Sequence, residues 1–231
     1  MEYSTVVITG AGSGLGASLA KKFSLLGSHV CLLGRTKKKL TVTASELKGD
    51  YSIYEVDVRS KKSVRNVMEE IKHNRGSIDC LINNAGVGIF KYLEELNEEE
   101  IIQMLDTNLK GTIFCTQEAL VYMREQNKGQ IINIVSGSGK VAKETESVYS
   151  ASKFGVRGFS DAVTAELSNT NIKIHSAYMG NMKTELWEKD IDEERLAQFI
   201  DPDDVADIII DSLKNQNKMY VKDITILNHN Y

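Results

Sequence analysis

Residues 5–16 read Thr5-Val6-Val7-Ile8-Thr9-Gly10-Ala11-Gly12-Ser13-Gly14-Leu15-Gly16, and their order decides the fold. A β-rich run of five residues predicts a buried strand, and the amphipathic pattern at Leu15–Leu26 predicts a helix. The glycines between them let the backbone turn tightly, while the helix N-terminus offers free N–H groups and a favourable dipole to an anion. After the first strand of an alternating chain, such a loop predicts nucleotide binding. Its spacing has two readings. Gly12, Gly14 and Ala17 fit G-x-G-x-x-A, and Gly10, Gly14 and Gly16 fit a G-x-x-x-G-x-G variant.

The alternation continues to the end of the chain. Further strands are expected at His29–Leu33, Tyr51–Val56, Asp79–Asn83, Gln130–Val135, Lys173–Tyr178 and Tyr220–Leu227. Helical patterns fall near Lys37–Leu47, Lys61–Asn74, Glu98–Gln126, Val148–Ser168 and Asp203–Asn215. Several strands are near-continuous apolar runs, as expected of parallel strands covered on both faces. The expectation is an α/β fold: one doubly wound, Rossmann-like domain over residues 1–231, with a seven-stranded parallel sheet flanked by helices. The single proline, Pro202, opens the last helix in Asp201-Pro202-Asp203-Asp204. Residues 182–200 stand outside the alternation and read as a lid over a substrate.

Composition narrows the function. The chain has 231 residues, 26% charged and 42% hydrophobic, with a net charge of −4. That balance argues against a nucleic-acid partner. No apolar stretch reaches membrane-spanning length and no secretory signal is evident, so a cytoplasmic protein is expected. Cys31, Cys80 and Cys115 are widely spaced in apolar contexts and read as buried thiols, and the four histidines show no metal-ligand spacing.

The second strand runs into Leu33-Gly34-Arg35, then Lys37, Lys38 and Lys39, with no carboxylate before Glu46. A cofactor with a free 2′-hydroxyl usually finds an Asp or Glu there, so Arg35 points to the 2′-phosphate of NADP(H), most of the lysines being solvated. Asp57-Val58 follows the third strand, where Asp57 is placed to accept from an adenine amino group. Asn83-Asn84-Ala85-Gly86 follows the fourth, its small residues admitting a ribose. Asn108 and Gly111 are poor interior residues for the long helix and predict a kink or a polar contact.

Ser136 closes the fifth strand at the edge where ligands bind in this architecture, with Ser138 as its rival. Thirteen positions on, Tyr149 and Lys153 lie four apart, on one face of a helix. With nine Tyr and 28 Lys plus Arg in the chain, about one Tyr-x-x-x-basic pair is expected by chance. Its chemistry is nevertheless useful. Bringing a phenol from its ordinary pKa near 10 to about 7 takes roughly 4 kcal/mol. An ammonium about 4 Å away supplies an energy of that order, giving a general acid–base near neutral pH.

Taken together, these motifs resemble the short-chain dehydrogenase/reductase family over almost the whole chain, from Thr5 to about Leu227. The resemblance selects the Gly10, Gly14, Gly16 register and, by the thirteen-residue gap, Ser136 over Ser138. It implies an NADP(H)-dependent enzyme interconverting a carbonyl and an alcohol. Tyr149 is the implied proton donor or acceptor. Lys153 lowers its pKa and holds the nicotinamide ribose, Ser136 polarises the substrate oxygen, and Asn108 supports a proton relay. Cofactor contacts are implied at Gly10, Ser13, Gly14, Leu15, Gly16, Arg35, Asp57, Val58, Asn84, Ala85, Gly86, Tyr149, Lys153, Gly180, Met182 and Thr184. The family's usual Pro-Gly after the sixth strand is here Met179-Gly180, which removes a fixed φ. The short, polar lid favours a small or flexible carbonyl over a bulky steroid. Substrate selection is expected in Val87–Glu94, Gly137–Glu146 and Met182–Ile200. The long helices near Glu98–Gln126 and Val148–Ser168 resemble those that pair family members into homodimers or homotetramers. The alternatives are a non-catalytic NADP(H)-binding regulatory protein, or a sugar-nucleotide epimerase or dehydratase, which needs a larger C-terminal domain.

Overall fold

A computed structural model describes residues 3–187, 192–214 and 219–228. Its strands are β1 (Thr5–Thr9), β2 (His29–Gly34), β3 (Tyr51–Glu55), β4 (Cys80–Asn83), β5 (Gly129–Ile134), β6 (Ile172–Met179) and β7 (Asp223–Ile226). All pair in parallel in the order β3-β2-β1-β4-β5-β6-β7, as expected of a doubly wound sheet. The direction of winding reverses between β1 and β4. Their carboxyl ends splay apart there and open a crevice.

The helices are α1 (Gly14–Leu25), α2 (Lys37–Ser45), α3 (Lys61–Arg75), α4 (Glu98–Met104), α5 (Gly111–Gln126), α6 (Ser147–Glu166), α7 (Glu193–Leu196) and α8 (Pro202–Ser212). Alternate strand residues feed two cores. Val6, Ile8, Val30, Leu32 and Ile132 pack with Leu19 and Phe23 of α1 and Val205 and Ile209 of α8. Val7, Cys31, Leu33, Leu81 and Ile131 pack with Val64 and Met68 of α3, Cys115 and Ala119 of α5 and Val163 of α6. Both faces of the sheet are covered, which is why its central strands carry apolar residues at successive positions. All three cysteines are buried and unpaired.

Local signals behave as read. Pro202 is the first residue of α8, and the Asp201 carboxylate caps that helix by accepting from Asp203 N–H at 2.8 Å. The long helix differs. It is interrupted by a wider π-type segment, Leu105–Lys110, between α4 and α5. Asn108 lies in that segment and its side-chain amide leaves the helix surface to bond the backbone of Val87. Gly111 follows because a Cβ there would stand 2.7 Å from Val58 Cγ2. Both poor helix formers thus have a tertiary reason.

Candidate active site

The crevice is a cavity of about 690 Å³ at the carboxyl ends of the strands. One half is walled mainly by backbone. Gly10 and Gly14 hold φ of +65° and +50°, values that suit glycine. A Cβ on Gly10 would lie 2.9 Å from Ala85 Cα. Asn84 ties this loop from the β4 side, donating to Thr9 O at 3.1 Å and Gly10 O at 3.2 Å. Ser13 occupies the N-cap of α1 without a side-chain bond to it, and no acidic residue lies in that helix's first turn. The N-terminus therefore faces the cavity with its N–H groups and positive dipole available to a diphosphate. Arg35 stands exposed at the wall beyond β2, with no ion-pair partner among the described residues.

The other half is walled by side chains. Tyr149 lies on α6, 8% exposed, hydrogen-bonded to Ser136. Ser136 adopts φ +106° and ψ 153°, a region close to glycine-only and strained by on the order of 1–3 kcal/mol. Its Oγ accepts from Ser138 N–H at 3.2 Å. Lys153 is buried, with Nζ donating to Ile134 O at 3.1 Å and lying 5.7 Å from the Tyr149 ring centroid. Gly86 closes this corner: a Cβ on it would be 3.3 Å from Asn108 Oδ1 and 3.7 Å from Lys153 Nζ.

The electrostatics depart from the simple helical-pair argument. Burial pushes the Tyr149 phenol up to about 12, opposed by the Ser136 hydrogen bond and reinforced by the Glu146 charge. Burial also brings Lys153 down to about 8. The ammonium is spent on a main-chain carbonyl rather than on the phenol, so desolvation of both groups dominates their mutual attraction. A phenol kept protonated by burial, with the Ser136 hydroxyl placed to donate to its oxygen as the proton leaves, is an arrangement for donating a proton.

Of the residues singled out from sequence, Gly10, Ser13, Gly14, Leu15, Arg35, Asn84, Ala85 and Gly86 line the cavity. So do Ser136, Tyr149, Lys153, Gly180, Met182 and Thr184. Gly16, Asp57, Val58 and Asn108 do not. Gly16 lets α1 approach Gly10 O and Asn84, whose Nδ2 would be 2.6 Å from an added Cβ. Asp57 is held by Arg59 in a forked pair, with Arg59 Nη2 to Oδ2 at 2.6 Å, and this holds its carboxyl below the usual range. Val58 is buried against Gly111. The Asn108 amide accepts from Val87 N–H at 2.8 Å and donates to Val87 O at 2.9 Å and Ser152 Oγ at 3.0 Å. Its side chain thus braces the loop beside Lys153, and its main-chain carbonyl accepts from Thr112 Oγ1 at 2.8 Å.

At the end of β6, Met179 pairs with Ile226 and Gly180 N–H donates to Ile226 O at 2.8 Å, so the strand runs through the position where proline is usual. The segment after it is less polar towards the cavity than its sequence suggests. Trp187 stacks on Phe90 at 4.5 Å and 7°, and Phe90 meets the Tyr149 ring edge-on at 5.4 Å. Residues 188–191 of the expected lid lie outside the described residues. Glu185 on this segment pairs with Lys39 of α2, so one of the three lysines belongs to the wall. Glu146, Trp187 and the Lys39–Glu185 pair were not singled out by residue type. The available signal for Glu146 was its place one helical turn before Tyr149.

A parallel sheet with a glycine loop at its switch point, facing a Tyr–Ser–Lys cluster, defines a dinucleotide-binding oxidoreductase. The short chain dehydrogenase family model matches residues 4–195. The chain belongs to that family. It is 33% identical over 221 residues to an uncharacterised oxidoreductase of Staphylococcus aureus, covering 95% of each chain. It is 32% identical over 231 residues to a sepiapterin reductase of Chlorobaculum tepidum, covering 96% of this chain and 94% of the other. A metagenomic short-chain oxidoreductase solved in complex with NADP superposes with a TM-score of 0.85, at 25% identity over 97% and 96% of the two chains. Among the described residues, no helix is long and apolar enough to cross a membrane.

Proposed function

We propose that this chain is an NADP(H)-dependent reductase that interconverts a small carbonyl compound and its alcohol, with Tyr149 as the proton donor or acceptor. One observation carries the reading: the Tyr149 phenol, bonded to Ser136, faces the same cavity as the backbone-walled glycine loop. The cofactor, when bound, supplies hydride chemistry. The glycine loop and α1 N-terminus hold its diphosphate, and Arg35 reads a 2′-phosphate. The NADP in the metagenomic neighbour supports this choice.

Ser136 donates to the substrate oxygen and orients it towards Tyr149. The phenol, kept protonated by burial, then gives up its proton as negative charge develops on that oxygen. Lys153 supplies positive charge beneath the pair and Asn108 keeps the loop beside it in place. Residues 182–187 lie beside the substrate, with Trp187 on the inner side. In the same reading, exposed apolar residues on the α4–α5 and α6 surfaces, including Ile102, Val121 and Phe154, pair copies of the chain into dimers or tetramers.

The test is purified protein with NADPH or NADH and a panel of ketones, aldehydes and quinones. Cofactor oxidation that depends on a carbonyl, and is faster with NADPH, is expected. Failure to bind either cofactor overturns the reading.

A further inference from the structure

Glu146 is a charged wall residue that neither cofactor binding nor proton transfer uses. It sits at the N-cap of α6 without capping that helix. Its Oε2 instead accepts from Ser138 Oγ at 2.5 Å. The residue is only 8% exposed, and it lines the cavity. A carboxylate withdrawn from water is costly unless charged or multiple donors meet it. Here one neutral hydroxyl does so, and among the described residues no cation pairs with Glu146. The other wall charges are accounted for: Lys39 pairs with Glu185, Lys153 with Ile134 O, and Arg35 stands at the far end.

Glu146 also stands close to the reacting position. It lies one turn before Tyr149 on α6, and the Ser138 that it holds donates its own N–H to Ser136 Oγ. Tyr149 and Trp187 line the same cavity, and Phe90 joins their rings, edge-on to Tyr149 and stacked on Trp187. A carboxylate that shares a cavity wall with aromatic rings, here Tyr149 and Trp187, receives a cation well, through charge and through the ring quadrupoles.

Resting on the reading of Tyr149 as proton donor, we propose that Glu146 is a specificity residue that receives a cationic nitrogen of the substrate. The substrate class is then a carbonyl compound bearing an ammonium or similar cation a few bonds from the carbonyl carbon. Arg35 offers the cavity a group for a phosphate, and Glu146 offers it one for an amine. A purely structural Glu146, needed only to hold Ser138, predicts no such preference.

Trp187 is the single tryptophan of the chain and lines the cavity, so its emission reports binding without turnover. The experiment titrates the protein with benzylammonium and with benzyl alcohol, which share a skeleton and differ in charge. Wild type is expected to bind the cation at least tenfold more tightly. In Glu146→Gln, which keeps an acceptor for Ser138, the preference falls to within twofold of unity, and Glu146→Asp retains part of it. Equal binding by wild type, or a preference that survives in Glu146→Gln, overturns the proposal. A second arm compares kcat/KM for 2-amino-1-phenylethanone and 1-phenyl-1-propanone with NADPH. A tenfold preference for the amine that is lost in Glu146→Gln supports it, and turnover without preference overturns it. If the protein binds neither NADPH nor NADH while the benzylammonium preference behaves as expected, the reductase reading fails and the cation site stands.

Discussion

The glycine-loop half of the cavity is walled by backbone, whereas the half beneath α6 is walled by side chains. In the first, positive φ at Gly10 and Gly14 and the Asn84 bonds to Thr9 O and Gly10 O set the surface. A motif can specify such a wall because it depends on residues that lack a Cβ. In the second, Tyr149, Lys153 and Glu146 are buried, Ser136 is half-buried, and the behaviour of each depends on what it faces. The first half is suited to a constant ligand part, and the second to chemistry and selection.

Substitutions should divide along the same line. The largest effect is expected at Lys153. Lys153→Met should lower carbonyl reduction by at least about 100-fold while raising stability near neutral pH. The native pKa is lowered to about 8, so the unfolded chain binds more protons than the native one between about 8 and its ordinary value. Burying the charge therefore costs roughly 3 kcal/mol below pH 8, and the cost fades as pH rises towards 10.5. The unpaired Ile134 carbonyl returns about 1–3 kcal/mol of that gain. Thermal melts of both proteins from pH 6 to about 10 should show the variant's advantage shrinking with pH; a constant or growing advantage would break the assignment.

Arg35→Ala comes next, on the backbone-walled half. Losing a charged contact to phosphate should weaken NADPH by about 10- to 100-fold, or roughly 1.5–3 kcal/mol, and leave NADH little changed. Equal loss for both cofactors would mean that Arg35 reads something other than the 2′-phosphate.

Gly10→Ala should destabilise by about 1–3 kcal/mol, since φ is +65° and the new Cβ meets Ala85 Cα. Denaturant midpoints measure it. Ser136→Gly should do the opposite, gaining on the order of 1 kcal/mol from relieved strain while losing turnover. A stability loss in Ser136→Gly would mean that the hydroxyl contributes more to folding than the strain costs.

The same comparison explains what could be read before the structure. Strand β1, the glycine loop and the Pro202 helix start depend on neighbouring residues, so their patterns carry them. The break at Asn108 was signalled by poor helix formers, but its cause is Val87, twenty-one positions away in sequence. Helical spacing placed Lys153 on the Tyr149 face without revealing that Ile134 O would take its ammonium. Asp57 reads as an adenine contact, and spacing alone did not show that Arg59, two residues on, also engages its carboxylate. The aromatic stack escaped notice because Phe90 and Trp187 meet only after β4 and β6 have been brought side by side with β5.

The central claim is that Tyr149 supplies the proton to a carbonyl reduced at the expense of NADPH. The most direct measurement is the rate of NADPH loss with a reactive ketone for wild type and Tyr149→Phe, which keeps the ring against Phe90 and removes only the hydroxyl. A fall of at least about 100-fold in kcat is the expected result. Turnover within twofold of wild type would contradict the account.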